Sequence, residues 1–422
     1  MGWTRVSARA VLLAIFSVVF VCGAAWGTAT EVVLYNFCQK DGCADGAAPS
    51  GQLLFDADGN LYGVASSGGA SGGAGVVYEL SPSPSGWTET VLYSFCALTK
   101  CADGETPKGA LTFDSNGNLY GTTYSGGAYG YGTVFELSPS ASGWSETVLY
   151  SFCAAGWPCP DYSLQDYTDV WPYAGVTMDG EGNLFGKSGW GSTFELSPSG
   201  GGWTKRDLYF TGITDLAGVT LDAKGDVYSM ATGNGLGEYP GGYVFELARA
   251  NDWSMDALVG FARNKTGSFA DGYDGDNTPV FDAKGDLYGT TAQNGPKATM
   301  GGTAFKLTPG KKSWTFKLLH TFTGKKGDGL EPMGQLAVDS VGNVYGATDF
   351  GGSDVSCNGG IGCGIVYELS PKGSTYTENI LWTFSWANGA HPVNGVILDK
   401  SGNVYGTTYQ GGGSGLVFEL IP

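Results

Sequence analysis

Short runs of alternating apolar and polar residues recur along the chain, each bounded by glycine, aspartate or asparagine. In one stretch Ala110-Leu111-Thr112-Phe113 alternates, Asp114-Ser115-Asn116-Gly117-Asn118 interrupts, and Leu119 to Thr123 resumes the alternation. A glycine-rich loop (Tyr124 to Gly132) follows, then Thr133 to Leu137, a Gly143-Trp144 turn, and Glu146 to Phe152. A period of two in aromatic and β-branched residues predicts strands, and no helical period of useful length competes with it. The aspartate can bond nearby backbone N–H groups and the glycine can take positive φ, so Asp-x-x-Gly-Asn predicts a hairpin turn. The unit reads as four antiparallel strands, A to D.

The unit repeats. Gly-Asn/Asp-hydrophobic-aromatic-Gly begins at Gly59, Gly117, Gly182, Gly225, Gly285, Gly342 and Gly402, a mean period of about 57 residues, in the range of propellers and other repeat arrays. Between Gly182 and Gly225 the interval shrinks, and Ser229 stands where the other copies have their last glycine. The two ends are complementary: after the leader the chain opens on a strand D, Val32 to Phe37, and it closes on a strand C, Leu416 to Leu420. Pairing them would leave no orphan edge, whereas a linear solenoid would carry polar caps. The expected fold is all-β: a seven-bladed β-propeller of four-stranded antiparallel blades in one domain, residues 30–422, closed by the N-terminal strand.

The runs Asp-x-x-Gly-Asn-Leu-Tyr-Gly-Thr-Thr, Gly-x-Val-Phe-Glu-Leu-Ser-Pro and Val-Leu-Tyr-Ser-Phe resemble the GloVer (Gloeo/Verruco) tandem repeat of exported bacterial proteins over nearly all of residues 31–422. Members of that family often end in a surface-sorting signal; here the last strand runs to Pro422, so no such anchor is expected. The resemblance implies the fold and export, and brings no activity or catalytic residue with it.

Export has its own signature. Arg5 and Arg9 precede an apolar run from Ala10 to Val21, and small residues follow, so residues 1–29 read as a secretory signal peptide. A spanning helix needs roughly 20 apolar residues, more than this run has. Val21 before Cys22 does not suit lipid attachment. Loss of the leader moves the formal charge from −18 to −20, which repels phosphate backbones and anionic lipid and argues against nucleic-acid or membrane partners. A secreted monomer is expected.

Eight cysteines remain in close pairs, Cys38 with Cys43, Cys96 with Cys101, Cys153 with Cys159, and Cys357 with Cys363. Even number, short spacing and export predict four local disulfides. Thiolate metal sites are disfavoured because the pairs lie in separate repeats and the chain has two histidines, His320 and His391.

Catalytic signatures are sparse. There is no P-loop and no Gly-x-Ser-x-Gly elbow, and the glycine-rich loops have no helix behind them to hold a phosphate. No cofactor is expected. The Asp-x-x-Gly-Asn turn looks superficially like the start of a calcium loop, but its middle position varies even to Lys224, so a structural turn is favoured. Strand polarity puts the uniform A–B and C–D turns on one face and the variable, cysteine-bearing B–C and D–A loops on the other, where binding usually resides. On that face Asp45, Asp103, Asp271 and Asp328 begin Asp-Gly pairs that could ring the channel mouth or simply turn the chain, and Trp157 and Trp171 could stack on a sugar or cover their own loop. The sequence therefore predicts a binding or scaffold module for a glycan or an extracellular protein. The alternative is a carbohydrate-active hydrolase or lyase using acidic residues near the channel.

Overall fold

The computed structural model describes residues 29–153, 169–189, 191–213, 216–233, 238–262, 269, 271–275, 277–293, 301–354, 356–357 and 359–422. They form seven four-stranded antiparallel sheets, six of them in simple chain order. Blade 1 takes Ala47–Phe55, Leu61–Ser67, Val76–Ser83 and Gly86–Ser94 as strands A to D. Blade 2 takes Glu105–Phe113, Leu119–Ser125, Thr133–Ser140 and Gly143–Ser151. Blades 3 to 6 begin at Thr177–Met178, Thr220–Leu221, Val280–Phe281 and Gly329–Val338.

Blade 7 is composite. Its strands Val396–Leu398, Val404–Thr408 and Leu416–Ile421 are completed on the outside by the first strand of the chain, Thr30–Asn36. Thr30 pairs with Ile421 and Asn36 with Leu416, in antiparallel register. The closed ring follows the pairing expected from the two ends. Among the described residues, no helix is long and apolar enough to cross a membrane.

Each core lies between neighbouring blades. Leu34 and Phe37 of the closing strand, for example, pack with Leu53, Tyr78 and Val417. The repeated motif serves this packing. A Cβ on Gly63 would stand 2.4 Å from the Tyr78 hydroxyl, and one on Gly121 would stand 2.6 Å from Phe135 Cζ, so only glycine admits the aromatic ring of strand C. Blade 4 departs from the rule with Ser229, whose hydroxyl is buried and donates to the Gly218 carbonyl at 2.8 Å.

The hairpin turns hold themselves: Asp56 Oδ1 accepts from the backbone N–H groups of Asp58 and Asn60, both at 2.9 Å, and Oδ2 accepts from the Asn60 amide at 2.7 Å. Strand A of blade 2 runs from Glu105, earlier than its apolar pattern suggests. The extra length comes from a bulge, with a register shift between Lys108 and Thr112 around Gly109, whose φ is +76°. Three expected disulfides are present, Cys38–Cys43, Cys96–Cys101 and Cys357–Cys363. Cys159, the expected partner of Cys153, lies outside the described residues.

Candidate functional site

The inner strands surround a cavity of about 500 Å³ on the axis of the ring. Six of the seven blades bring a glycine to this centre, namely Gly51, Gly109, Gly175, Gly218, Gly334 and Gly395. At five of them a Cβ would fall within about 2.3 Å of a neighbouring inner strand's backbone; at Gly109 it would stand 1.9 Å from the Gly175 nitrogen. The glycines let the strands close in and keep the cavity small. Lining residues from loops, such as Tyr173, Leu216 and Tyr409, come from D–A or B–C segments, so the cavity lies toward the variable face.

Hydroxyls and amides dominate its polar lining, and Lys108 is the one lysine, arginine, aspartate or glutamate among the described lining residues. Lys108 projects from strand A of blade 2, its Nζ 4.6 Å from the Tyr124 ring centre and 5.1 Å from that of Tyr173. The two tyrosine hydroxyls lie 3.2 Å apart, and Trp171 stacks on Tyr124 at 6.3 Å between ring centres. Burial pushes the Lys108 ammonium below its ordinary pKa.

Trp171 is thus placed beside the cavity, in a residue pair with a special backbone. It precedes Pro172 with φ at +50°, and Ala48, Thr106, Glu331 and His391 likewise precede prolines with φ between +54° and +60°. Each donates its N–H to the loops of the preceding blade, Trp171 to the Tyr131 carbonyl at 2.8 Å. Left-handed conformations at non-glycine residues concentrate at functional sites, and here they sit where the D–A loops enter the inner strands. Around one of them His391 Nδ1 lies 2.6 Å from Asp349 Oδ1; neither lines the cavity.

The aspartates of the Asp-Gly pairs lie elsewhere. Asp45 and Asp103 are fully buried near the outer strands. Asp45 accepts from the Tyr35 hydroxyl and the Gln39 N–H, both at 2.8 Å, and Asp103 from the Tyr93 hydroxyl at 2.9 Å and the Ala97 N–H at 2.8 Å. Asp328 repeats the arrangement with His320 at 3.3 Å and the Thr323 N–H at 2.7 Å. Asp271 is exposed, and its backbone carbonyl accepts from Thr303 at 3.1 Å. Trp157 lies outside the described residues.

Asp45, Asp103 and Asp328, with Asp169 at the equivalent place before blade 3, clasp the seams between blades, where the next blade's strand D answers each of them. Asp169 meets Lys205 at 3.1 Å, while Glu378 approaches His320 at 3.6 Å beside Asp328. Glu89 sits at the Asp45 seam and is neutralised by Lys40 at 2.7 Å. At the Asp103 seam the answering group is Glu146, whose carboxyl burial pushes up to about 8, with the Asp103 charge adding to the effect. Burial likewise lifts Glu378 to about 7.

A pH dependence follows. Between its ordinary 4.5 and about 8, Glu146 holds a proton in the folded chain that the unfolded chain has released. Its contribution is therefore complete below 4.5 and lost as pH rises to about 8. Asp45 works oppositely: burial opposes ionisation, but the Gln39 N–H and the Tyr35 hydroxyl outweigh it, holding the carboxyl below 3.8, so its contribution fades in acid. Glu146→Gln is expected to stabilise the protein at pH 8 by about 1–2 kcal/mol, solvent contact having been discounted, and to change little at pH 4. Urea unfolding at the two pH values reads this; equal shifts at both would remove the seam account.

The sequence pattern of the Gloeobacter/Verrucomicrobia repeat matches residues 18–187 and 276–422. The unmatched middle holds blade 4, with its shortened interval and Ser229. Among curated proteins none matches the chain. Solved structures align with the chain at low identity. PorZ, described as an essential surface component of the type-IX secretion system of Porphyromonas gingivalis, aligns at 14% identity and a TM-score of 0.52, over 87% of this chain and 46% of that one. A putative 6-phosphogluconolactonase from Bacteroides uniformis aligns at 14% identity and a TM-score of 0.44, over 78% and 83%. A protein of unknown function from Dyadobacter fermentans aligns at 11% and 0.44, over 93% and 97%.

Proposed function

We propose that this chain, which belongs to the Gloeobacter/Verrucomicrobia repeat family, is an exported binding module that takes a glycan into the cavity at the centre of its ring. The cavity itself carries the reading. Its volume suits a small ligand or the end of a chain, its hydroxyls and amides suit sugar hydroxyls, and Tyr173 brings an aromatic ring to one side, with Tyr124 packed on it and Trp171 stacked on Tyr124. Disulfides closed over five or six residues support an oxidising, extracytoplasmic setting.

Cleavage is the weaker reading. A glycosidase needs two carboxyl groups roughly 5 to 10 Å apart facing the sugar, and no carboxylate is among the described residues lining the cavity. The buried Asp103 and half-buried Glu146 stand at a seam between outer strands instead. A glycan array run beside a polysaccharide activity screen tests this on the secreted chain. Retention of a glycan without release of shorter products is expected; hydrolysis of any retained glycan would defeat the binding-only reading.

A further inference from the structure

Lysines that turn inward in this protein are already engaged. Lys205 pairs with Asp169, Lys306 with Asp286 at 2.6 Å, and the buried Lys187 donates to the Met230 carbonyl at 2.8 Å. Lys108 differs. No carboxylate among the described residues pairs with it, although acidic residues outnumber basic ones 40 to 22 in the chain. Its partners among the described residues are the faces of Tyr124 and Tyr173, which steady an ammonium without neutralising it. The cost of partly burying that charge is offset only in part by the rings.

We infer that the Lys108 corner of the axial cavity receives the anionic group of an acidic sugar, a carboxylate or a sulfate. The inference rests on the glycan reading above and narrows it to a chemical class. The negative group would take the place that a carboxylate side chain fills at Lys205 and Lys306. Around it Tyr173, supported by Tyr124 and Trp171, would meet the sugar's apolar face, and neighbouring hydroxyls and amides would meet its hydroxyls. The surrounding surface repels anions, so the positive corner in a cavity whose described lining holds no carboxylate distinguishes an acidic sugar that has reached the axis from one at the periphery.

Calorimetric titration of the full secreted chain with an oligogalacturonide, its carboxyl-reduced neutral counterpart and a sulfated galactan oligomer tests the inference. An acidic oligomer should bind more tightly than the neutral one, and Lys108→Gln should weaken it by about 10- to 100-fold, the usual worth of a charge-assisted hydrogen bond. Lys108→Arg should restore most of that loss, and matched melting curves would show that both variants fold. Carboxylate and sulfate are told apart by which acidic oligomer responds. Acidic binding untouched by Lys108→Gln, or binding of the neutral oligomer alone, would overturn the inference and leave the glycan reading standing. Failure of all three, together with an empty glycan array, would remove the glycan reading itself.

Discussion

Deleting residues 30–37 should cost about 4 kcal/mol or more and lower the melting temperature sharply, far beyond the effect of trimming a loose terminus. The deleted strand is the outer cover of blade 7 and brings Leu34 and Phe37, 7% and 0% exposed, into the core between blades 7 and 1. Burial of two such side chains accounts for roughly 3–6 kcal/mol, before the loss of the strand's ladder to Leu416–Ile421. Removal also exposes an apolar edge on which another chain could pair, so aggregation should accompany the loss. Cysteines placed at Thr30 and Ile421, which face each other in the ladder, should oxidise readily. Thermal unfolding of the deletion checks this; an unchanged melting temperature would mean the ring does not depend on its N-terminal strand.

Filling the cavity should abolish ligand binding while leaving the fold intact. Thr220 lines the cavity from strand A of blade 4 and is only partly buried, so an indole at this position can occupy the axial space rather than the core between blades. Thr220→Trp should reduce affinity for any oligosaccharide retained by the array by at least about 100-fold, equivalent to losing roughly 2.7 kcal/mol of binding. The melting temperature should move by no more than a surface substitution would move it. Retained affinity in the variant would place the ligand on the loops.

Much of the architecture was legible because it depends on local rules that repeat. Alternation gave the strands, Asp-x-x-Gly-Asn gave the hairpins, and the complementary ends gave the seam, down to the pairing of Val32 to Phe37 with Leu416 to Leu420. Strand A was less legible. Its residues from Glu105 to Lys108 include threonine and proline and lack an apolar alternation, and they pair only because the strand bulges at Gly109. The cavity was hidden for a related reason: its walls mix scattered apolar residues with glycines, hydroxyls and amides that look like loop residues in one dimension. Its signal was present as a glycine beside the apolar run of strand A, at Gly51, Gly109, Gly175, Gly218, Gly334 and Gly395.

The Asp-Gly pairs illustrate the limit from the other side. Sequence shows that Asp45, Asp103 and Asp328 precede the inner strands, but only the packing of adjacent blades reveals that Tyr35, Tyr93 and His320 hold them near the outer strands. Trp171 ended beside the cavity because its left-handed backbone, ahead of Pro172, brings the indole to the stack with Tyr124. Lys108 carried no motif at all; its distinction is that no carboxylate among the described residues pairs with it, a property of three dimensions.

The number of oligosaccharide molecules bound per chain tests the central account most directly. The loops that repeat around the ring offer several comparable positions, whereas the axial cavity exists once. Calorimetric titration of the intact chain with a retained oligosaccharide is therefore predicted to give one ligand per chain. A stoichiometry of several per chain would contradict binding at the axis and transfer it to the repeated loops.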